Sequence, residues 1–478
     1  MDAAAALNHS AGVQMRVVLA DVRATEGFVH KDTVVGGYGS RLRPFSKVTR
    51  LACALKKRLN DVPSVTMAYL AAILDRAGHE VVWSRGELLD GDVAIGLSSL
   101  VDYRNEGRWA DAMRAKGVRV GFVGLAASKM PELFREHADF LIYGEPEEAV
   151  MRLAGGERLA GMVRSAEIAD LAALPFPRWD LVGVKPERRA GSAVFTRPIG
   201  GFPVLASRSC PEFCTYCPHR ILTPWRGRSV ENIADELADL CQRYEQPFVI
   251  FRDPLFSQDR DRILALCDEI RDRGLDLRFE AETRLDRLDE ELLVRMRAVG
   301  LQTIEFGVES MSPETLKRVG RRPIPEAHQR EIIKICDRLG IRTVGFYVLG
   351  FPTDTWNSIA ATIEYSISLG STLAQFKMLT PYPGTPLWKH MEKQVFERDW
   401  EKFDGFSVTF QHPKLSVREL QFLLAAAYAR FYMRPSFFAN LWRFEKQWAR
   451  DLVGRLDLKV AELHSRQELA AMSRAVVC

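Results

Sequence analysis

Residues 209–218 read SCPEFCTYCP and set Cys210, Cys214 and Cys217 in a CxxxCxxC triplet on one short loop. Three thiolates so placed can each hold one iron of a [4Fe-4S] cluster and leave the fourth iron open to a substrate or cosubstrate. Taken alone, the triplet also admits a zinc site completed by His219. Zinc sites more often pair CxxC with a second CxxC or with HxxxH, and no second cysteine pair occurs. The remaining cysteines, at 53, 241, 267, 336 and 478, are scattered singly, which is not a disulfide framework. Cys241, Cys267 and Cys336 read as small buried hydrophobes, and the whole usage suits a reducing cytoplasm.

The chain on either side alternates strand and helix. Downstream of a proline-rich, aperiodic linker (166–200), apolar runs at 204–207, 247–252, 278–282, 303–307, 343–349 and 373–379 predict strands. Helical periodicity at 230–244, 259–273 and 325–339 lies between them, so six βα units make a partial (β/α)6 barrel over 201–390. Upstream, candidate strands at 15–21, 80–83, 93–97, 119–123 and 140–143 alternate with helices at 64–77 and 108–116, predicting a Rossmann-like parallel sheet over 14–165. Ligands of such sheets bind beyond the carboxyl ends of the strands, which singles out Ser98, Ser99, Gly124, Gly144 and Glu145. Small residues there also serve as plain βα turns. Beyond residue 390 the text turns helical and aromatic, with Trp400, Phe403, Phe422, Phe431, Trp442 and Trp448, as a helical cap or the wall of an apolar substrate pocket would be.

Composition excludes several classes. With 47% hydrophobic and 27% charged residues in 478, the chain is globular and large enough for two or three domains. Its 66 basic and 62 acidic residues nearly balance, giving no electrostatic case for nucleic acid. The N-terminus lacks the basic start and apolar core of a secretory signal, and no apolar run of about 18 residues predicts a transmembrane segment.

The triplet, with the aromatic Tyr216 before its last cysteine and a strand before its first, resembles that of the radical S-adenosylmethionine (radical SAM) enzymes. The likeness extends along the barrel. It includes Asp253 in FRDPLF, Glu282 and Arg284 in EAETR, Glu309 and Ser310 in GVES, Gly350 in VLGFP, and the closing TPYPGTP of 380–386. The resemblance implies that Cys210, Cys214 and Cys217 bind the cluster, that its open iron chelates S-adenosylmethionine, and that reductive cleavage yields a 5′-deoxyadenosyl radical. Tyr216, Asp253, Glu282, Arg284, Glu309, Ser310 and Gly350 are then candidate contacts to S-adenosylmethionine. Arg284 can pair bidentately with a carboxylate, and Gly350 lets backbone approach a nucleoside. Glu280 and Glu305 are read either as site residues or as members of salt bridges.

A Rossmann-like domain ahead of the barrel, with GEPE (144–147) ending its last strand, is similar to the cobalamin-binding (B12-binding) subfamily. That subfamily implies cobalamin as a further cofactor, contacted by Ser98, Ser99, Gly124, Gly144 and Glu145. The DxHxxG motif of cobalamin mutases is absent, as it is from many members that hold the cofactor with its base detached. The expectation is a cobalamin-dependent radical SAM C-methyltransferase of secondary metabolism, acting on a small, apolar or aromatic molecule. Flavodoxin or ferredoxin would be its electron donor. A B12-binding enzyme that cyclises, rearranges or oxidises its substrate is the alternative, and a zinc-stabilised binding protein without catalysis is the alternative of another class.

Overall fold

The structure, a computed structural model, describes residues 14–24, 26–31, 37–43, 50, 53–54, 62–184, 193–194, 197–198, 201–435 and 437–439. Trp442, Trp448 and residues 185–192, 195–196 and 199–200 of the expected linker lie outside the described residues.

Two parallel sheets organise the chain, each read here in chain order. The first contains β1 (Arg16–Ala20), β4 (Glu80–Ser84), β5 (Val93–Leu97), β6 (Arg119–Val123), β7 (Phe140–Tyr143) and β8 (Gly161–Arg164). Between β1 and β4 the chain also forms a short antiparallel hairpin, β2 (Phe28–His30) with β3 (Ser40–Leu42). The sheet order is β4-β1-β5-β6-β7-β8, so its order reverses between β1 and β5, and the hairpin leaves from the β1 end of that crevice. Val17 to Ala20 and the whole of β5 are buried, which is why they read as unbroken apolar runs. Gly121 gives room to the Phe140 ring, which would lie 2.1 Å from an added Cβ. Helix α1 (Val65–Arg76) buries ten of its twelve residues because both of its sides are covered, by its own sheet and by the second half of the chain.

The second sheet runs β9 (Phe202–Val204), β10 (Phe248–Phe251), β11 (Arg278–Thr283), β12 (Leu301–Glu309), β13 (Arg342–Leu349) and β14 (Leu373–Met378), all parallel and paired in that order. β9 and β14 do not pair, so the barrel is open. Period-two alternation sorts its residues. Phe279, Ala281, Ile304 and Phe306 pack outward into the apolar core, while Glu280, Glu282, Glu305 and Gly307 line an interior cavity. The first barrel strand ends at Val204 rather than continuing to 207, because Ser207–Arg208 turns aside to pair antiparallel with Arg226–Gly227. That two-stranded clasp closes the cysteine loop at its base.

The open edge of β14 is capped by side chains. The helix Val417–Tyr432 follows the helix Pro386–Met391 and an irregular stretch, and lays Tyr428 and Tyr432 along the strand. The Tyr428 hydroxyl accepts from Phe376 N at 3.2 Å and donates to Phe376 O at 2.9 Å, and Tyr432 does the same for Ala374 at 3.1 and 2.6 Å. Four helical residues rise about 6 Å and two strand residues about 6.6 Å, so the i, i+4 tyrosines match the i, i+2 backbone groups. An edge that would otherwise present unpaired amides is thereby blunted. Tyr428→Phe should lower stability by about 1–3 kcal/mol, since Phe376 is fully buried and its N–H and C=O would lose their partner. A lower midpoint of thermal unfolding checks this.

The two halves share packing and charge. Tyr38, Leu125 and Ala126 of the first half lie in one apolar cluster with Phe351, Leu379 and Leu387 of the second. Arg41 and Arg104 reach Glu401 and Asp399 at 3.2 and 2.7 Å. Among the described residues no helix is long and apolar enough to cross a membrane.

Candidate functional site

A cavity of about 690 Å³ occupies the mouth and interior of the barrel and is roofed by the N-terminal hairpin. Cys210, Cys214 and Cys217 all line it. Their loop is pinned from several sides: Cys217 N donates to Cys214 O at 3.2 Å, Thr215 N to Val319 O at 2.9 Å, and Leu387 N to Thr215 O at 3.0 Å. Ser209 enters the loop at φ 65° with its hydroxyl on His219 O at 3.1 Å. Gly320, at φ 72°, lies so close that a Cβ would fall 2.3 Å from Phe213 O. Gly320→Ala therefore combines left-handed strain of about 1–2 kcal/mol with a clash against the loop. The expected result is a folded protein that retains less iron through gel filtration than wild type.

The thiols face a low-dielectric wall. Burial pushes Cys210 up to about 11 and Cys217 and Cys214 also upward, with Arg321 beside Cys214 pulling the other way. Metal would have to displace these protons. Among the described residues no three His, Cys, Asp or Glu side chains converge as the ligands of one ion would. Three thiols spread on one loop suit a cluster, in which each thiolate takes a different iron.

Beside the loop stands a buried polar group. Arg321 Nη1 approaches Cys214 Sγ at 3.9 Å and its Nη2 lies 3.6 Å from Glu309 Oε1. Burial raises the Glu309 carboxyl above its ordinary value, against the pull of Arg321 and a hydrogen bond from Tyr216. Glu309 itself sits at φ 66°, and Ser310 N donates to Val308 O at 2.9 Å, closing a γ-turn of the rare, strained hand. The turn folds the Glu309 side chain back over Gly307, where a Cβ would meet Oε1 at 2.1 Å. Sequence reasoning picked out Glu309 but missed Arg321; the only local signal is its place in Gly320-Arg321-Arg322.

The other barrel candidates divide. Tyr216, Glu282 and Arg284 line the cavity. Asp286 holds Arg284 through Nε and Nη2 at 2.9 and 3.0 Å, leaving the buried Nη1 without a hydrogen-bond partner. Asp253, Ser310 and Gly350 do not line this cavity. The Asp253 carboxylate takes Ala206 N at 2.9 Å and the Ser207 hydroxyl, holding the strand that leads into the cysteine loop. Ser310 Oγ accepts from Ser312 N at 3.1 Å. Gly350 N and Phe351 N both donate to Asp354, whose carboxyl burial pushes up to about 6.

On the first sheet, Ser98, Ser99, Gly124, Gly144 and Glu145 serve internal contacts. Ser98 Oγ donates to Val123 O at 2.7 Å, and Ser99 gives its N–H and hydroxyl to Glu106 at 2.9 and 2.6 Å. Gly124 and Gly144 make left-handed turns at φ 110° and 97°. Glu145 takes Arg226 and, at 3.2 Å, Thr223 and Arg208. The cavity wall on this side is made instead by Phe28, His30, Tyr38, Gly39 and Ser40. Lys31 anchors this hairpin, its Nζ 2.7 Å from Glu106 and 3.1 Å from Leu97 O. Just before β3, Tyr38 donates to Pro383 O at 2.5 Å and stacks on Tyr382.

Comparison with known proteins agrees with this fold. Residues 204–366 match the model of the Radical SAM superfamily. The chain is 29% identical over 310 residues to an uncharacterized methyltransferase of Pyrococcus horikoshii, covering 63% of this chain and 65% of that one. It is 26% identical over 312 residues to the anaerobic magnesium-protoporphyrin IX monomethyl ester cyclase of Cereibacter sphaeroides, covering 63% of this chain and 49% of the relative. The fold resembles the cobalamin-dependent S-adenosylmethionine radical enzyme OxsB with aqua-cobalamin bound, at TM-score 0.65 and 13% identity over 91% of this chain and 71% of that one.

Proposed function

We propose that this chain, a radical SAM enzyme with the fold of the cobalamin-dependent members, transfers a methyl group to an unactivated carbon of a small molecule. One observation carries the reading: a single cavity is walled by three thiols and a barrel mouth on one side and, on the other, by the hairpin that follows the first strand of the Rossmann-like sheet. A site for one cofactor would not need both.

The residues fit the groups this reading requires. Cys210, Cys214 and Cys217 offer three soft donors on one loop, leaving a cluster iron free, and Arg284 presents a buried, unpartnered N–H pair suited to a carboxylate. Glu282 and Glu309 offer acceptors for the ribose or amino group of S-adenosylmethionine. Tyr38, Gly39 and Ser40 line the same cavity and would help to hold cobalamin. When bound, the cluster and cobalamin supply one-electron reduction and methyl carriage, chemistry that no side chain provides. The protein orients them, and the hairpin, locked to Pro383, excludes water. Glu280, Glu305, Gln375 and Lys377 stand among an apolar lining that includes Phe248, Ile250, Val344 and Phe346, so the substrate is read as carrying polar groups beside an apolar part.

The reading places the enzyme in the cytoplasm with an external one-electron donor, consistent with free thiols at all seven cysteines of the described residues. Anaerobic incubation with methyl-labelled S-adenosylmethionine, cobalamin and candidate metabolites, followed by mass analysis, tests it. The expected product carries one labelled methyl group. A product of altered structure without added label would favour cyclisation or rearrangement, the reading to which the cyclase relative points.

A further inference from the structure

We infer that Arg321 and Glu309 together set the reduction potential of the cluster, Arg321 raising it and Glu309 lowering it. Arg321 acts as a positioning residue through the Cys214 thiolate, a role that rests on the radical SAM reading above. Local sequence aims it there. The helix Pro313–Arg318 runs out at Gly320, which takes φ 72° and closes a Schellman turn. In that turn Gly320 N donates to Lys317 O at 3.1 Å and Arg321 N to Leu316 O at 2.9 Å. The turn is docked to the cysteine loop, because Thr215 N donates to Val319 O at 2.9 Å. Lys317 and Arg318 are exposed, whereas the Arg321 side chain, just past the turn, is 11% exposed and points at the thiols.

The guanidinium meets three acceptors of unequal strength. Nη2 donates to Gly307 O and lies 3.6 Å from Glu309 Oε1, longer than the roughly 2.7–2.9 Å of a charge-assisted hydrogen bond. Nη1 donates to Cys214 Sγ at 3.9 Å. Gly307 makes room for both charged groups, since a Cβ there would fall 2.1 Å from Glu309 Oε1 and 2.8 Å from Arg321 Nη2. A thiol is a weak acceptor, and so loose a pairing of a buried cation costs stability. An iron-bound thiolate turns the same contact into a charge-assisted hydrogen bond. Arg284, the other cation acting on Cys214, is already held by Asp286.

Hydrogen bonds to the sulfurs and net charge are among the factors that fix an iron-sulfur potential. Reduction takes one electron from an external low-potential donor and adds one negative charge beside Cys214. The Arg321 cation therefore favours the reduced cluster and the Glu309 carboxylate the oxidised one, with little water between to screen either.

The test is an anaerobic redox titration of reconstituted holoenzyme, with the reduced cluster read by electron paramagnetic resonance. S-adenosylmethionine is left out, so any part Glu309 plays in binding it does not enter. Arg321→Gln should lower the reduced-to-oxidised ratio at a fixed potential by about tenfold, a midpoint about 59 mV lower for one electron. Arg321→Lys, which keeps the charge, should recover part of that shift. Glu309→Gln should move the midpoint upward. Charge predicts opposite signs for the glutamine variants, whereas damage to the loop would move both the same way. Iron and sulfide content near wild type shows that intact clusters are being compared. An unchanged midpoint in Arg321→Gln, a lysine variant no higher than the glutamine one, or shifts of the same sign in Arg321→Gln and Glu309→Gln overturns the proposal. If Arg321→Gln holds no cluster, Glu309→Gln decides: a midpoint at or below wild type overturns it, and one above supports it. If wild type itself takes up no reducible four-iron cluster, the radical SAM reading fails, a result distinct from any failure of the variants to shift.

Discussion

After anaerobic reconstitution, Cys214→Ala is expected to hold its cluster at least about 100-fold more weakly than wild type and to cleave no S-adenosylmethionine. The loop offers no substitute. Thr215 and Leu387 fix its backbone, and no other described cysteine lines the cavity, so a fourth thiol cannot move in. Cys214 is also the ligand candidate that Arg321 approaches, so its loss leaves a buried cation facing an apolar gap. The control is Cys241→Ala. Cys241 is half-buried against the apolar core, far in sequence from the loop, and its removal should leave iron content and absorption unchanged. Iron and sulfide analysis with visible spectra checks both variants. A Cys214→Ala protein that still cleaves S-adenosylmethionine would sink the assignment.

The parts of this molecule legible in sequence are those written as local strings. A buried parallel strand is an apolar run, and a strand end is the small or polar residue that stops it, so Val93–Leu97 and Arg119–Val123 coincide with their expected ranges. The cysteine triplet is legible for the same reason: all three donors come from one loop. What escapes is whatever depends on distance along the chain. Arg321 reaches Cys214 across 107 residues, and only the γ-turn at Glu309 folds the intervening acid back toward it. Strands β2 and β3 are three residues each, too short for a periodic signal, yet Tyr38 closes on Pro383 across 345 residues. GEPE shows the opposite failure. Its position beyond a strand was readable, but the partners of its carboxylates were not, and these are Arg208 and Arg226 of the other half of the chain.

Those partners carry the second large effect: Arg208→Met should cost about 3–5 kcal/mol. Arg208 is 3% exposed in its side chain, donates to Glu147 at 2.7 Å, lies 3.2 Å from Glu145 and covers the Tyr69 ring at 5.4 Å. Burial works against its charge, but Glu147 and Glu145 outweigh it and hold the guanidinium above its ordinary pKa. Methionine fills much of the volume but leaves Glu147, itself buried, with no cation. Because Arg208 closes the clasp with Arg226 immediately before Ser209 and Cys210, the loss should reach the loop, and iron retention should fall along with stability. Thermal unfolding and iron content measure the two effects together. Adding Glu147→Gln separates charge from packing: neutralising the stranded carboxylate should restore part of the lost stability. If the double variant is no more stable than Arg208→Met alone, the cost arises from packing against Tyr69, and the ion pair contributes little to joining the two sheets.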